Sequence, residues 1–337
     1  MKLLIAIVNF KSADLVAPLL DSLASECRQL GGIKVRVGDN GSGDGSFERL
    51  AAHVEAKNYG DFAEVLDLAH NGGFAWGNNR LIEGPLRGNR GERPEYVLFL
   101  NPDTLATPRC LRTLIEFMDS TPEAGLAGSQ LIDPGPNPAV QASAFRFQGF
   151  FSEIDDTLRF GPVSRLLSSY KTKMPHPETS DAAPYPCEWV AGASMIVRPE
   201  VFEAIGLMDE AFFLYFEEED FVKRANDAGF SCWYLPSSRV VHLVGATSGI
   251  TNKKDALNPL PEFWYESRKR YFLTHYGYPK ALAVDLARLV ALGLYWLRTK
   301  LEGKPKADPR GFARGIWKQA WRSLGSLGKA EIPSVRR

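Results

Sequence analysis

Six apolar residues, Leu3-Leu4-Ile5-Ala6-Ile7-Val8, run without a polar interruption and stop at Asn9. A run that short and that continuous reads as a strand buried on both faces. Helical periodicity follows over Ala13–Leu30, then a short strand over Lys34–Val37 that ends in Gly38-Asp39. The alternation continues with a helix over Phe47–Ala56, a strand over Ala63–Asp67 and a helix over Gly77–Leu86. Tyr96–Leu100 is a further buried strand, and Pro108–Asp119 a helix opened by proline. Strand and helix in alternation predict an α/β fold, a mainly parallel central sheet flanked by helices. Sheets of this kind take ligands in the crevice beyond the carboxyl ends of their strands. The polar motifs of this chain fall at those ends.

The middle of the chain is less regular. Residues 133–187 are rich in Pro, Ser and aromatics, lack clear periodicity, and predict a long, partly mobile connection suited to a lid or an acceptor wall. Regular signals return at Glu188–Arg198, followed by a helix over Pro199–Ile205 and another over about Glu218–Ala228. Strands are expected over Ser231–Leu235 and Arg239–His242, and mostly helix from Pro261 onward.

The net charge of zero conceals an uneven distribution. From Arg298 to Arg337 there are eleven Lys/Arg and three Asp/Glu, so this tail carries +8 and the other 297 residues −8. An acidic body argues against nucleic acid as the partner. The four cysteines, Cys27, Cys110, Cys187 and Cys232, are widely spaced and form no CxxC or Cys/His metal pattern, which fits free thiols in a reducing, cytoplasmic compartment. The apolar start is too short for a signal peptide and has no cleavage-site pattern. No apolar run approaches the roughly 18–20 residues of a membrane span. Ala281–Leu297 is apolar with sparse charges, and Trp296, Trp317 and Trp321 lie among basic residues. Two readings stay open for residues 281–330: an interfacial helix on the inner face of an anionic membrane, or a helical hairpin packed on the catalytic body.

Five motifs carry candidate chemistry. Asp39-Asn40-Gly41-Ser42 follows a strand and reads as a tight β–α loop or as a loop whose Asp39 holds a nucleobase or ribose. Asn71-Gly72-Gly73-Phe74-Ala75-Trp76-Gly77-Asn78 opens a helix; its small residues suit either close packing or the approach of backbone amides to a diphosphate. Neither is a dinucleotide fingerprint or a P-loop. Asn101-Pro102-Asp103 ends a buried strand in a carboxylate, a turn cap or a ligand for Mg²⁺ or Mn²⁺. His242, at another strand end, is structural or an imidazole ligand. Finally, Glu217-Glu218-Glu219-Asp220 is clamped between Phe212-Phe213-Leu214-Tyr215-Phe216 and Phe221. Four acids suit a helix N-terminus, and aromatic neighbours also raise a carboxyl toward the working range of a general base.

Taken together the motifs resemble glycosyltransferase family 2, in its bacterial rhamnosyltransferase-like branch. The resemblance starts at Ile7-Val8-Asn9-Phe10 and runs through the Asp39, Asn71 and Asn101-Pro102-Asp103 motifs. It continues with Gly192-Ala193-Ser194-Met195, Gly206-Leu207-Met208-Asp209-Glu210, the acid block, His242 and Tyr265–Phe272, covering residues 3–276. It implies a GT-A fold, a catalytic domain over 1–276 with a basic, Trp-containing helical extension over 277–337, and an inverting transfer from a nucleotide-sugar donor. The branch implies dTDP-L-rhamnose as donor, and as acceptor a glycan or polyprenyl-diphosphate-linked glycan of a cell-surface polysaccharide.

The resemblance also implies roles. Val8, Asn9 and Asp39 would meet the donor with Asn71, Gly73, Phe74 and Asn78; Asn101 and Asp103 would reach its diphosphate. Asp103 and His242 would hold the Mg²⁺ or Mn²⁺. Trp189, Gly192, Ala193, Asp220 and Arg268 would wall the acceptor side, with Asp220 also expected to orient its helix or bind Arg224 one turn on. Glu218 is the implied base, with Glu217 as its rival, because the branch usually has Asp where this chain has Glu218. Asn101 replaces the first carboxylate of the usual pair, leaving fewer charges for a metal. A family member that binds nucleotide or glycan without catalysis is disfavoured because the acid block and Asp103 are both present. A sugar-1-phosphate nucleotidyltransferase is disfavoured because residues 3–20 hold no Gly-rich loop with Arg.

Overall fold

A computed structural model describes residues 1–89, 91–243, 257–305 and 307–335. The alternating first part consists of β1 (Leu3–Asn9), α1 (Ala13–Leu30), β2 (Ile33–Asp39), α2 (Ser46–Ala56), β3 (Ala63–Asp67), α3 (Phe74–Arg87) and β4 (Tyr96–Leu100). β5 (Thr104–Ala106), α4 (Cys110–Ser120) and β6 (Ala124–Ile132) follow, then β7 (Ala144–Phe145), α5 (Phe150–Leu158), α6 (Gly161–Leu166) and β8 (Tyr185–Cys187). β9 (Trp189–Val190), β10 (Ser194–Val197), α7 (Pro199–Ile205), α8 (Glu217–Asp227) and β11 (Ser231–His242) come next, before the long α9 (Glu262–Leu301) and α10 (Phe312–Ala320).

Among the described residues, nine strands form one sheet in the order β3-β2-β1-β4-β10-β6-β11-β5, with β8 also paired to β11. β3, β2, β1 and β4 are mutually parallel, and so are β6 and β11. β10 lies antiparallel between β4 and β6, which turns the far half of the sheet mixed. Leu3, Ile5 and Ile7 pack into the core on one face, and Leu4, Ala6 and Val8 into the core on the other. That two-sided burial is why β1 reads as a continuous apolar run rather than an alternating one. Register sets Asn9 opposite Asp39, and Asp39 opposite Asp67, so three polar strand tips line up at the carboxyl edge.

Three elements differ from the sequence expectation. β6 is buried along its full length, yet its Gly125, Gly128, Ser129 and Gln130 give no strand signal. Gly128 is small for a packing reason: a Cβ there would stand 2.6 Å from the Cβ of Val190. The irregular connection over 133–187 is corrected, since it contains α5 and α6. The buried face of α5 is Ser152, Glu153, Asp155 and Thr157, so no apolar periodicity marks it. The two strands expected over 231–242 are one, β11, with its register shifted between Leu235 and Arg239, beside Pro236.

The C-terminal segment folds back on the body. α9 is broken at Gly277, whose φ of +74° lies in the left-handed region. α10 packs on α9 through Tyr265, Leu292, Phe312 and Ile316. Lys318 pairs with Glu262 at 2.7 Å and Arg322 with Glu266 at 2.5 Å, so the hairpin reading describes α10. Residues 331–335 return to the loop after α7: Leu207 N–H donates to Pro333 O and Glu210 N–H to Glu331 O.

A buried ion network fastens α5 to α9. Arg268 donates to Glu153 and, at 2.6 Å, to Asp285; Asp285 also accepts from Lys269 at 2.7 Å, and Arg288 reaches Glu153. Burial pushes the Glu153 carboxyl up, but the charges of Arg268 and Arg288 outweigh it and hold the group down at about 2. Removing one member of such a network leaves buried charge uncompensated. Asp285→Ala is therefore expected to destabilise the fold by about 3–5 kcal/mol, read from chemical denaturation midpoints.

Candidate active site

A cleft of about 420 Å³ opens at the carboxyl ends of β1, β2 and β4. One side is built from strand tips and loops: Val8, Phe10 and Ser12 after β1, Asn40 after β2, Asn71, Gly73 and Phe74 at the start of α3. Its floor is Asn101-Pro102-Asp103 after β4 and His242 at the end of β11. The opposite side is Gly192-Ala193 before β10, Phe213–Tyr215, Glu217, Glu218 and, from the first turn of α9, Phe263. The antiparallel β10 explains the meeting of these sides. Leu100 pairs with Ser194, and Asn101 N–H donates to Ala193 O at 3.0 Å, so the Gly192-Ala193 loop lies across the end of β4.

The donor-side loops are cross-tied. Asn40 Nδ2 donates to Asn71 Oδ1 and to Gly73 O, both at 3.1 Å. Asp39 Oδ1 accepts from Asn9 Nδ2 and Ser42 Oγ, each at 2.6 Å, and Oδ2 accepts from Ser42 N–H at 3.2 Å. Asp39 thus faces a second, adjoining hollow of about 450 Å³ lined by Gly41, Gly43, Gly45 and Ser46. Phe74 N–H donates to Phe213 O at 2.8 Å and joins the α3 start to the loop that leads into the acid block.

The acid block depends on a turn of unusual backbone. Tyr215 and Phe216 both have φ of +69°, in the left-handed region. For side chains of this size the conformation costs on the order of 1–3 kcal/mol each and persists only where packing imposes it. Phe216 is held against Trp264 and Tyr271, and Tyr215 stacks on Phe263, all three partner rings belonging to α9. Ser267 Oγ donates to Leu214 O at 3.1 Å. The turn delivers Glu217 as the first residue of α8.

The four acids then divide by environment. Asp220 accepts from Arg224 and His275, each at 2.9 Å; burial raises its carboxyl, but the His275 hydrogen bond and the Arg224 charge hold it below the usual range. Glu219 accepts from the amide and the side chain of Gln148; its burial dominates and pushes it up to about 8. Glu217 and Glu218 each bury an Oε2 that has no hydrogen-bond partner. Burial raises both carboxyls, that of Glu217 further because Glu218 stands beside it. The Gly192 amide hydrogen-bonds to Glu218 and steadies it. Two adjacent carboxyls with unsatisfied oxygens, one of them tethered, line the cleft.

At the floor, His242 Nδ1–H donates to Gln141 Oε1 at 2.9 Å while Gln141 Nε2 donates to His242 O at 2.9 Å. This clamp leaves Nε2 as the acceptor nitrogen, 3.6 Å from Asp103 Oδ1. Burial lowers the imidazole, outweighing the nearby Asp103 charge, and keeps it neutral. A carboxylate oxygen, a neutral imidazole and the unsatisfied Oδ1 of Asn101 make a donor set that suits Mg²⁺ or Mn²⁺. Among the described residues no three His, Cys, Asp or Glu side chains form a metal-holding group, so the set needs further oxygens from substrate or water.

The profile described as Glycosyl transferase family 2 matches residues 4–205. The chain belongs to this family. It is 27% identical over 223 residues to the N-acetylglucosaminyl-diphospho-decaprenol L-rhamnosyltransferase of Mycobacterium tuberculosis, covering 64% of this chain and 68% of that protein. It is 28% identical over 171 residues to the rhamnosyltransferase WbbL of Escherichia coli, covering 50% of this chain and 60% of that protein. The fold matches GalNAc-T7 bound to UDP, GalNAc and Mn²⁺ with a TM-score of 0.59 at 12% identity, over 97% of this chain and 56% of that one. The mannosyltransferase PcManGT of Pyrobaculum calidifontis, bound to GDP-Man and Mn²⁺, matches with a TM-score of 0.51 at 14% identity, over 97% of this chain and 84% of that one. The sheet is that of the GT-A glycosyltransferases.

Within this glycosyltransferase the expected site residues fall into two groups. Val8, Asn71, Gly73, Phe74, Asn101, Asp103, Gly192, Ala193, Glu217, Glu218 and His242 come together around the cleft. Asn9 supports Asp39 from behind, and Asn78 faces into α3, donating to Phe74 O. Three residues expected on the acceptor wall do not line the cleft. Trp189 stacks on Phe145 at 4.4 Å and donates to Arg146 O. Asp220 is closed off by Arg224 and His275. Arg268 is 2% exposed and committed to Glu153 and Asp285. The sequence reading missed Phe10, Ser12, Asn40 and Phe263 on the wall, and Gln148, Tyr271 and His275 behind the acids. Asn40 and Tyr271 lie inside recognised motifs, whereas Phe263 and His275 on α9 carry no local signal.

Gly73 has φ of +92°, and a Cβ there would stand 2.3 Å from Phe213 O. Gly73→Ala is expected to push the α3 start away from the acid-block loop. Transfer should fall by at least tenfold while the urea midpoint drops by the equivalent of about 1–3 kcal/mol.

Proposed function

We propose that this glycosyltransferase moves L-rhamnose from dTDP-L-rhamnose, with inversion, to a hydroxyl of a polyprenyl-diphosphate-linked glycan. The reaction would serve assembly of a cell-surface polysaccharide on the cytoplasmic side of the membrane. The observation that carries the catalytic part is the pair of buried, unsatisfied carboxylate oxygens on Glu217 and Glu218, in one cleft with Asp103 and His242. The names of two relatives, both rhamnosyltransferases, support the sugar, and one name includes a diphospho-decaprenol acceptor. The catalytic domain is taken as 1–276 and the extension as 277–337, supported by the left-handed break at Gly277.

The hollow in front of Asp39 takes the nucleobase, with the flat glycine-rich floor beneath it. The donor diphosphate lies across the start of α3, where the helix N-terminus favours negative charge. A divalent ion held by Asp103 and His242, with Asn101 beside them, would stabilise the charge that develops on the leaving diphosphate. Glu218 takes the proton of the acceptor hydroxyl as its oxygen bonds to the anomeric carbon and the bond to the diphosphate breaks. Glu218 is favoured over Glu217 because the Gly192 amide orients it, while Glu217 is buried deeper and held protonated more strongly. The Glu217 carboxyl beside it raises the basicity of Glu218 whenever it is ionised. A base so tuned contributes roughly 10²–10⁴-fold to rate.

Glu218→Gln should reduce turnover by at least 100-fold and leave donor affinity within about threefold. Transfer above about a tenth of the unmodified rate would transfer the role of base elsewhere. The base works ionised, and its carboxyl is raised, so kcat/KM should climb with pH along a limb lying above the ordinary glutamate value of about 4.3. A limb at or below that value would contradict the buried-base reading.

The donor is tested by thermal shift with dTDP-L-rhamnose, UDP- and GDP-sugars, each with Mg²⁺ or Mn²⁺. Stabilisation by dTDP-L-rhamnose above the others is expected, and Asp103→Asn should abolish the metal-dependent part of it. Preference for a UDP- or GDP-sugar would replace rhamnose as the transferred group.

A further inference from the structure

The second half of α9 has two faces of opposite character. Ala281, Asp285, Arg288, Leu292 and Tyr295 turn toward the body. On the opposite side Leu286, Val290, Leu294, Leu297 and Leu301 are 38, 64, 53, 57 and 79% exposed. They recur at three- and four-residue intervals, which places them in one stripe along roughly 24 Å of helix. The one acid between 283 and 301 is Asp285, and it is buried in the ion network. Four leucines and a valine along one solvent-facing stripe are far more apolar surface than a helix needs for folding.

A second element continues the stripe. Arg298 lies 5.3 Å from the ring of Phe160 and donates to Arg159 O, which sets the α5–α6 junction beside the end of α9. Phe160 is exposed there, and Leu166 at the end of α6 is exposed as well. Cations stand at both ends of the stripe: exposed Lys280 before its start and exposed Lys300 near its end, while Lys304 beyond it pairs with Glu302 at 2.9 Å.

We infer that this face, α9 from Leu286 to Leu301 with Phe160 and Leu166 beside it, is a docking surface for an anionic lipid bilayer. The chain lies on the surface with the leucines among the acyl-chain boundary and the lysines at the headgroups. No described helix is long and apolar enough to cross a membrane, so the stripe rests in the interface rather than spanning it. A second copy is the competing occupant. With cations at both ends, parallel and antiparallel pairing of two stripes each set lysine against lysine, whereas anionic headgroups complement them. The helical stripe falls within the residues 281–330 that the sequence offers to a membrane and narrows the contact to one face of α9. Lys318 and Arg322 of that segment are paired with Glu262 and Glu266 on α9. The inference rests on the lipid-linked acceptor reading for its purpose, and docking would keep the cleft close to a membrane-embedded glycan.

The test uses the full chain and its Leu286→Ser/Val290→Ser/Leu294→Ser/Leu297→Ser variant, all changes at exposed positions outside the cleft. Vesicle flotation compares phosphatidylcholine alone with phosphatidylcholine containing phosphatidylglycerol, and transfer is measured on a short-chain, water-soluble acceptor and on a vesicle-embedded one. The parent chain should float with anionic vesicles, and the variant should bind them at least tenfold more weakly. Both should turn over the soluble acceptor alike, and the variant should fail on the embedded one. Lys300→Glu should weaken flotation by roughly fivefold or more at low salt. Equal flotation of parent and variant would overturn the surface. So would a concentration-dependent dimer that the variant abolishes in the absence of vesicle binding. Flotation by a parent chain that transfers no rhamnose to either acceptor would keep the surface and reject the rhamnosyltransferase reading.

Discussion

Two consecutive bulky residues in the left-handed region, Tyr215 and Phe216, set the direction of the acid block. An unaided chain would relax out of that turn, because neither residue is glycine and both carry large rings. α9 prevents it by stacking Phe263 on Tyr215 and enclosing Phe216 between Trp264 and Tyr271. The same helix supplies His275 to Asp220. A helix that lies outside the family's matched region, 4–205, therefore holds the geometry of the candidate base. The part of α9 before the break at Gly277 frames the candidate site, and the part after it packs on the body as the extension.

Charge inside the protein is used for placement. Arg268, Lys269, Arg288, Glu153 and Asp285 are paired with one another and join α5 to α9. Buried ion pairs add little net stability over well-packed apolar groups, yet they penalise every arrangement that separates them. That specificity matters here because α5 has no apolar face of its own to dock. The acids of α8 show the converse. Asp220 is fully paired and inert, while Glu217 and Glu218 keep an oxygen each without a partner. Unsatisfied buried groups are costly to folding, and these two line the cleft.

Much of the framework was legible because its signals are local. Ala13–Leu30, Ala63–Asp67, Tyr96–Leu100 and Pro199–Ile205 have the bounds that periodicity and proline predict. The polar tips Asn9, Asp39 and Asp103 follow apolar strands and so advertise the ligand edge. The elements that escaped notice lack such signals: β6 is rich in glycine and polar residues, and α5 buries serine, glutamate, aspartate and threonine. Arg268 shows the limit most clearly. Its place in a recognisable motif suggests a substrate contact, but its partners are 115 positions upstream and 17 downstream.

By itself the sequence determined the alternating α/β framework, the family, and the residue types at the strand tips, because apolar runs and short motifs are properties of neighbouring residues. The tertiary structure decided which of four acids are paired and which are left with a bare oxygen. It also decided which tryptophans and lysines are tied down and which leucines remain outside. Those outcomes depend on burial and on partners brought from distant positions, and neither quantity exists until the chain is folded.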